Sequence, residues 1–140
     1  MTGTMAPADH YTTDDLNREM EKLKSEAAAT GGGSLALDRY ASHFTMLAYR
    51  LTDGPSEIHA GFADMFYVVR GKATLLTGGT IPDAVEQSPG EVRGKTMEGG
   101  VDTALAPGDV VTIPAGTTHQ IVVPPGGEIL YFVVKIKAAA

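Results

Sequence analysis

The sequence contains no cysteine. That absence removes thiol catalysis, thiolate metal sites and disulfides together. It leaves the compartment open, because a cysteine-free chain suits either redox environment. The 11 Lys and Arg residues are scattered without a run, and the formal net charge is −6. Nucleic acids and anionic membrane surfaces are held by clustered cations, so neither is an expected partner. No apolar stretch is long enough to span a bilayer. The opening residues, Met1 to Ala6, hold no apolar signal core. The expectation is a soluble cytoplasmic protein, or an exported one whose signal has been removed. Neither Gly78-Gly79 nor Gly99-Gly100 is followed by Gly-Lys-Ser or Gly-Lys-Thr, so there is no phosphate loop. Ser56 and Ser88 lack a nucleophile-elbow context, so serine catalysis is unsupported.

What remains is ordinary in bulk. The 140 residues suit one domain, and 43% hydrophobic with 20% charged residues is the balance of a globular protein. A chain of this size buries enough surface to fold without staples, so a metal would serve function rather than folding.

The first segment predicts a helix. Thr12 and Thr13 are capping residues, and Asp14 and Asp15 place negative charge where the helix dipole favours it. Leu16, Met20, Leu23 and Ala27 form one narrow apolar stripe, and Gly31-Gly32-Gly33 ends the run. The stripe packs on the rest of the domain or contacts a second subunit. After the glycines the hydrophobic period becomes two. Strands are expected over 42–51, 65–69, 73–76, 110–113, 119–123 and 129–136, with Gly, Pro and Asp punctuating them. The division is a helical extension over 1–33 and an all-β sandwich or barrel over 34–140. The stretch from Gly78 to Gly100 is aperiodic and long for a hairpin loop, which suggests a lid or a loop packed over an edge.

Chemistry concentrates at three residues. His119 shares a strand face with Ile121 and Val123 and should point inward, as a core histidine or as a ligand. Asp64 shares a face with Phe66 and Val68, and a carboxylate there is costly unless paired, coordinated or wet at the barrel mouth. His59 lies just before it, across a short glycine-containing link. Two histidines and one carboxylate with open positions suit non-haem iron(II), and also zinc or manganese. His10 and His43 read as solvated and structural. Tyr40, Tyr49 and Tyr67 are core aromatics or donors to a pocket.

The segment Gly108 to His119 runs Gly, five residues, Pro, one, Gly, two, His. It resembles the second motif of the cupin superfamily, with Val123 where an Asn often stands. The segment from His59 to Gly71 resembles the first motif. His59 takes its first His, Gly61 stands at its second His, and Asp64 replaces its Glu, with six residues between it and Gly71. So aligned, the link from Gly61 to Asp64 is one residue short. The resemblance spans about residues 35 to 136. It implies a cupin-type double-sheet barrel of jelly-roll kind with one N-terminal helix, often a homodimer, with the site inside the barrel mouth. Similar proteins include dioxygenases, isomerases, decarboxylases, cyclases, lyases and non-enzymatic binders. Two functions therefore stand open. One is a metal-dependent enzyme acting on a small organic substrate through His59, Asp64 and His119, with Fe, Mn or Zn bound. The other is a metal-free small-molecule-binding module.

Overall fold

In the computed structural model, which describes residues 7–138, two short helices precede 11 strands. The helices are α1 (Thr13–Met20) and α2 (Lys24–Thr30). The strands are β1 (Gly32–Arg39), β2 (His43–Arg50), β3 (Ser56–His59), β4 (Phe62–Gly71), β5 (Ala73–Thr77), β6 (Val85–Ser88), β7 (Glu91–Gly94), β8 (Val101–Leu105), β9 (Val110–Ile113), β10 (His119–Val122) and β11 (Ile129–Lys137). They form two antiparallel sheets, ordered β1-β2-β11-β4-β9 and β6-β7-β3-β10-β5-β8. The fold is all-β with an N-terminal helical segment. The expected double-sheet arrangement is present as a sandwich, with no ladder joining the two sheets among the described residues.

The expected single helix is two. Thr12 caps the first: its hydroxyl accepts from the Asp15 N–H at 3.0 Å, and the Asp15 carboxylate accepts from the Thr12 N–H at 2.9 Å. The N–H groups of Glu21, Lys22 and Leu23 then bond to carbonyls three residues back. That tighter turn breaks the α-helical ladder. It also keeps Leu16, Met20, Leu23 and Ala27 on one buried face, against Leu47, Tyr49, Val69 and Leu130 of the five-stranded sheet. The stripe thus covers the chain's own sheet. Neither helix is long and apolar enough to cross a membrane. Met1 to Ala6, on which the expectation about a signal rests, lies outside the described residues.

A second cluster fills the space between the sheets, with Phe66, Val68, Leu75, Leu105, Ile113 and Ile129 among its members. Burying a side chain of this size stabilises by roughly 1.5–3 kcal/mol. The stretch from Gly78 to Gly100 contains two short strands. Strands β6 and β7 form a hairpin that extends the six-stranded sheet beyond β3. Every residue of β6 is exposed, so it buries no face and shows no alternation in sequence. Strand β8 was hidden in the same way, since only Leu105 of its five residues is buried.

Two glycines fix how the site strands join. Gly71 has φ +84°, and a Cβ there would lie 2.0 Å from the Glu128 carbonyl oxygen. Only glycine allows β4 to end against β11 in this way. Gly116 has φ +82° and sits in the turn before β10, where its N–H donates to the His59 carbonyl at 3.0 Å. This bond ties the turn leading to His119 to the end of β3.

Candidate metal centre between the two sheets

The structure brings His59, Asp64 and His119 together. All three are buried, with relative exposures of 8%, 6% and 8%. His59 and His119 come from the neighbouring strands β3 and β10, and Asp64 comes from β4 in the facing sheet. The imidazole centroids lie 5.0 Å apart. Asp64 Oδ2 is 3.9 Å from His59 Nε2 and 3.7 Å from His119 Nε2.

A fourth donor, Glu57, was not singled out from the sequence. It lies two residues before His59 on the same face of β3, and in register it pairs directly with His119. Its Oε2 is 3.7 Å from His59 Nε2, and one donor atom each from Glu57, His59 and His119 lie within 4.8 Å of one another. The available signal was the two-residue period of Glu57-Ile58-His59, read backwards from the histidine. This corrects the motif alignment. Glu57, not Gly61, is the partner two positions from His59. Gly61 lies exposed in the turn after β3, where a Cβ would touch nothing within 4 Å. Counted from His59, Asp64 is five positions on, so the link is not shortened.

Hydrogen bonds set both imidazole tautomers. His119 Nδ1 lies 3.0 Å from the Thr117 carbonyl oxygen, which can only accept. His59 Nδ1 lies 2.8 Å from Glu91 Oε1, also an acceptor. In the neutral rings Nδ1 therefore carries the proton, and Nε2 presents a lone pair toward the shared space. Burial pushes His119 below the ordinary imidazole pKa, against the opposing pull of the Thr117 carbonyl and Asp64. Its ring is thus neutral and free to donate at neutral pH.

Each carboxylate also has a resident cation. Arg93 Nη2 is 3.0 Å from Glu57 Oε2. Lys135 Nζ, on β11 directly across from Asp64, is 2.9 Å from Oδ1 and 3.0 Å from Oδ2. The better-aligned contact is to Oδ2, and the buried Oδ1 is held by the ion pair. Glu57, His59, Asp64, His119 and Lys135 face a cavity of about 120 Å³ whose other walls include Met46, Ala48, Phe66, Ile121 and Tyr131. Of the tyrosines read from the sequence, Tyr49 is buried under the helices, and Tyr40 and Tyr67 are partly exposed. The tyrosine that reaches the cavity is Tyr131, two positions from Val133 and four from Lys135 on one face of β11.

The donor chemistry fits a divalent ion. Two Nε2 atoms converge with carboxylates beside them, and each imidazole is held through its other nitrogen, as metal-bound histidines are. Asp64 Oδ1 is buried beside the same space, 2.9 Å from Lys135 Nζ.

No protein-family model matches this chain, and no curated protein does so by sequence. Solved structures do. The polyketide cyclase RemF from Streptomyces resistomycificus is 19% identical, with a TM-score of 0.56 over 79% of this chain and 69% of that one. The Cnp3 cupin domain of Schizosaccharomyces pombe is 10% identical, with a TM-score of 0.58 over 78% of this chain and 66% of that one. The DMSP lyase DddQ from Ruegeria pomeroyi DSS-3 is 16% identical, with a TM-score of 0.56 over 77% of this chain. The match spans 48% of the lyase, about half its length. The chain has a cupin fold.

Proposed function

We propose that this protein is a metal-binding cupin that acts on a small organic substrate. One observation carries the reading: the Nε2 atoms of His59 and His119 face one space, with both Nδ1 atoms engaged elsewhere. Glu57 and Asp64 complete the donor set, and Fe, Mn or Zn suits it. A bound ion would supply Lewis-acid polarisation of a substrate oxygen. The chain's own residues set the rest. Glu91 and the Thr117 carbonyl hold the imidazoles in one tautomer, and apolar walls from Met46, Phe66 and Ile121 bound the space beside them. The similar structures include a cyclase and lyases, so the chemistry at this site is a property of each chain's cavity rather than of the fold.

The test is metal loading of EDTA-treated protein, followed by elemental analysis, for wild type and His119→Ala. The reading expects about one ion per chain in wild type and little in the variant. Wild type that takes up no stoichiometric Fe, Mn or Zn overturns it.

A second reading has its own support. Lys135 already provides a cation at Asp64, so a metal-free cavity that binds a small molecule would be electrostatically complete. The same loading experiment separates the two. We also propose that the chain forms a homodimer. Met65, Tyr67, Val110 and Ile136 leave an exposed apolar patch on the outer face of the five-stranded sheet, beyond the cover of the helices. A sedimentation measurement giving the monomer mass would refute that.

A further inference from the structure

One cation at the cavity has no carboxylate partner among the described residues. Arg93 and Lys135 are paired with Glu57 and Asp64. Arg50, at the end of β2, also lines the cavity, yet no carboxylate pairs with it among the described residues. Its two hydrogen bonds, each 3.2 Å, go from Nε to the Thr52 carbonyl and from Nη2 to the Asp53 carbonyl. A guanidinium has five N–H donors, so three remain unused. Its place depends on two residues without side chains. A Cβ on Gly32 would lie 2.8 Å from Arg50 Cζ, and one on Gly54 would lie 3.1 Å from Nε.

Tyr131 is the second unused donor. It lines the same cavity and makes no side-chain hydrogen bond among the described residues. Burial pushes its hydroxyl up to about 12, so it remains a neutral donor, and Arg50 is the charged group that acts on it most strongly. Unused guanidinium N–H groups and a phenol O–H thus line one cavity whose carboxylates, Glu57 and Asp64, are already paired with other cations. A carboxylate matches the geometry of the guanidinium fork and supplies the missing charge.

We propose that the substrate is a small organic acid whose carboxylate is held by Arg50 and Tyr131. This rests on the reading of the cavity as the substrate site. Size narrows the class further. A cavity of roughly 150 Å³ holds benzene, so one of about 120 Å³ suits an acid of about five to six heavy atoms. The acid's non-carboxylate end would then face His59, His119 and Asp64.

The probes are lactate and its neutral isostere lactamide, titrated by NMR into EDTA-treated and into Zn2+-loaded protein. Zn2+ binding is measured separately. Lactate should bind at least about 10-fold more tightly than lactamide, the range expected for hydrogen bonds to a charged group. Arg50→Met should reduce that preference to within about 3-fold, and Tyr131→Phe should weaken lactate several-fold with little effect on lactamide. Should Arg50→Met fail to fold, the wild-type comparison and Tyr131→Phe still decide. Equal affinity for the two probes, no lactate binding, or an unchanged preference in folded Arg50→Met overturns the proposal. Zn2+ uptake without a lactate preference overturns this inference alone. A lactate preference without Zn2+ uptake overturns only the metal reading.

Discussion

Replacing Lys135 by Met should lower the stability of the metal-free protein and raise its affinity for a divalent ion. Lys135 lies 2.9 and 3.0 Å from the two oxygens of Asp64, and the two side chains are only 16% and 8% exposed. Methionine keeps the length of the stem and removes the charge. Removing one partner of a buried ion pair costs about 3–5 kcal/mol, because the remaining charge is uncompensated. Water reaching Asp64 from the cavity would lower that cost, so the bottom of the range, about 3 kcal/mol, is expected. For a chain of this size that is a loss of roughly 10 °C in Tm. An ion beside Asp64 compensates the same carboxylate, so most of the loss should return on loading. Each 1.4 kcal/mol recovered is a factor of ten in affinity, giving a tightening of about 10- to 100-fold. The assay is thermal denaturation of wild type and Lys135→Met, each with EDTA and with Zn2+, alongside calorimetric titration of Zn2+. The double variant Asp64→Asn/Lys135→Met should lose far less stability than Lys135→Met alone, since no charge is stranded. Destabilised metal-free protein with unchanged Zn2+ affinity would refute the placement of Asp64 at the metal. An unchanged Tm would refute the claim that the pair is a buried one.

Three further outcomes follow from single contacts. Glu91 accepts from His59 Nδ1 at 2.8 Å, so Glu91→Ala should weaken Zn2+ binding by about 10-fold in calorimetry, as loss of an outer-shell partner does. Tyr49 donates to Glu128 at 2.5 Å, and that bond, then Arg70, holds the Glu128 carboxyl below its usual pKa. The stability this gives is present above the unfolded pKa of about 4.3 and is lost as pH falls through the lower folded value, so Tyr49→Phe should cost about 1 kcal/mol at pH 7 and less at pH 3 in urea denaturation. Leu130 is fully buried between α1, α2 and the five-stranded sheet, so Leu130→Ala should cost about 2–5 kcal/mol by the same assay.

Legibility from sequence followed burial. The helix stripe and the strands β2, β4, β5, β9, β10 and β11 alternate because one face meets a core, and alternation is what a sequence displays. Strands β6 and β8 are held by ladder hydrogen bonds at sheet edges with little burial, so their residues carry no periodic mark. Asp64 and His119 were visible for the converse reason, as polar residues on apolar faces. Arg50 and Lys135 were not, because lysine and arginine at strand ends usually reach water. Only the register of β2, β4 and β11 shows that both line the cavity.

The motif alignment failed at one point that a substitution can test. Matching His59 to the first His of a His-x-His pair put Gly61 at the second position; the sheet register instead makes Glu57 and His59 the pair. Histidine in place of Gly61 would stand in an exposed turn, on a backbone outside the left-handed region, with open space around its Cβ. Gly61→His should therefore leave the fold and Zn2+ affinity unchanged. Histidine in place of Glu57 would sit opposite His119, on the face that His59 shares. Glu57→His should keep Zn2+ binding, since imidazole is as good a zinc donor as carboxylate. Glu57→Ala, with no donor left there, should weaken it by about 10-fold or more, the cost of about one lost interaction of 1.4 kcal/mol. Calorimetric titration of the three variants ranks them. If Gly61→His tightened Zn2+ and Glu57→Ala left it unchanged, the register reading would be wrong and the original alignment right.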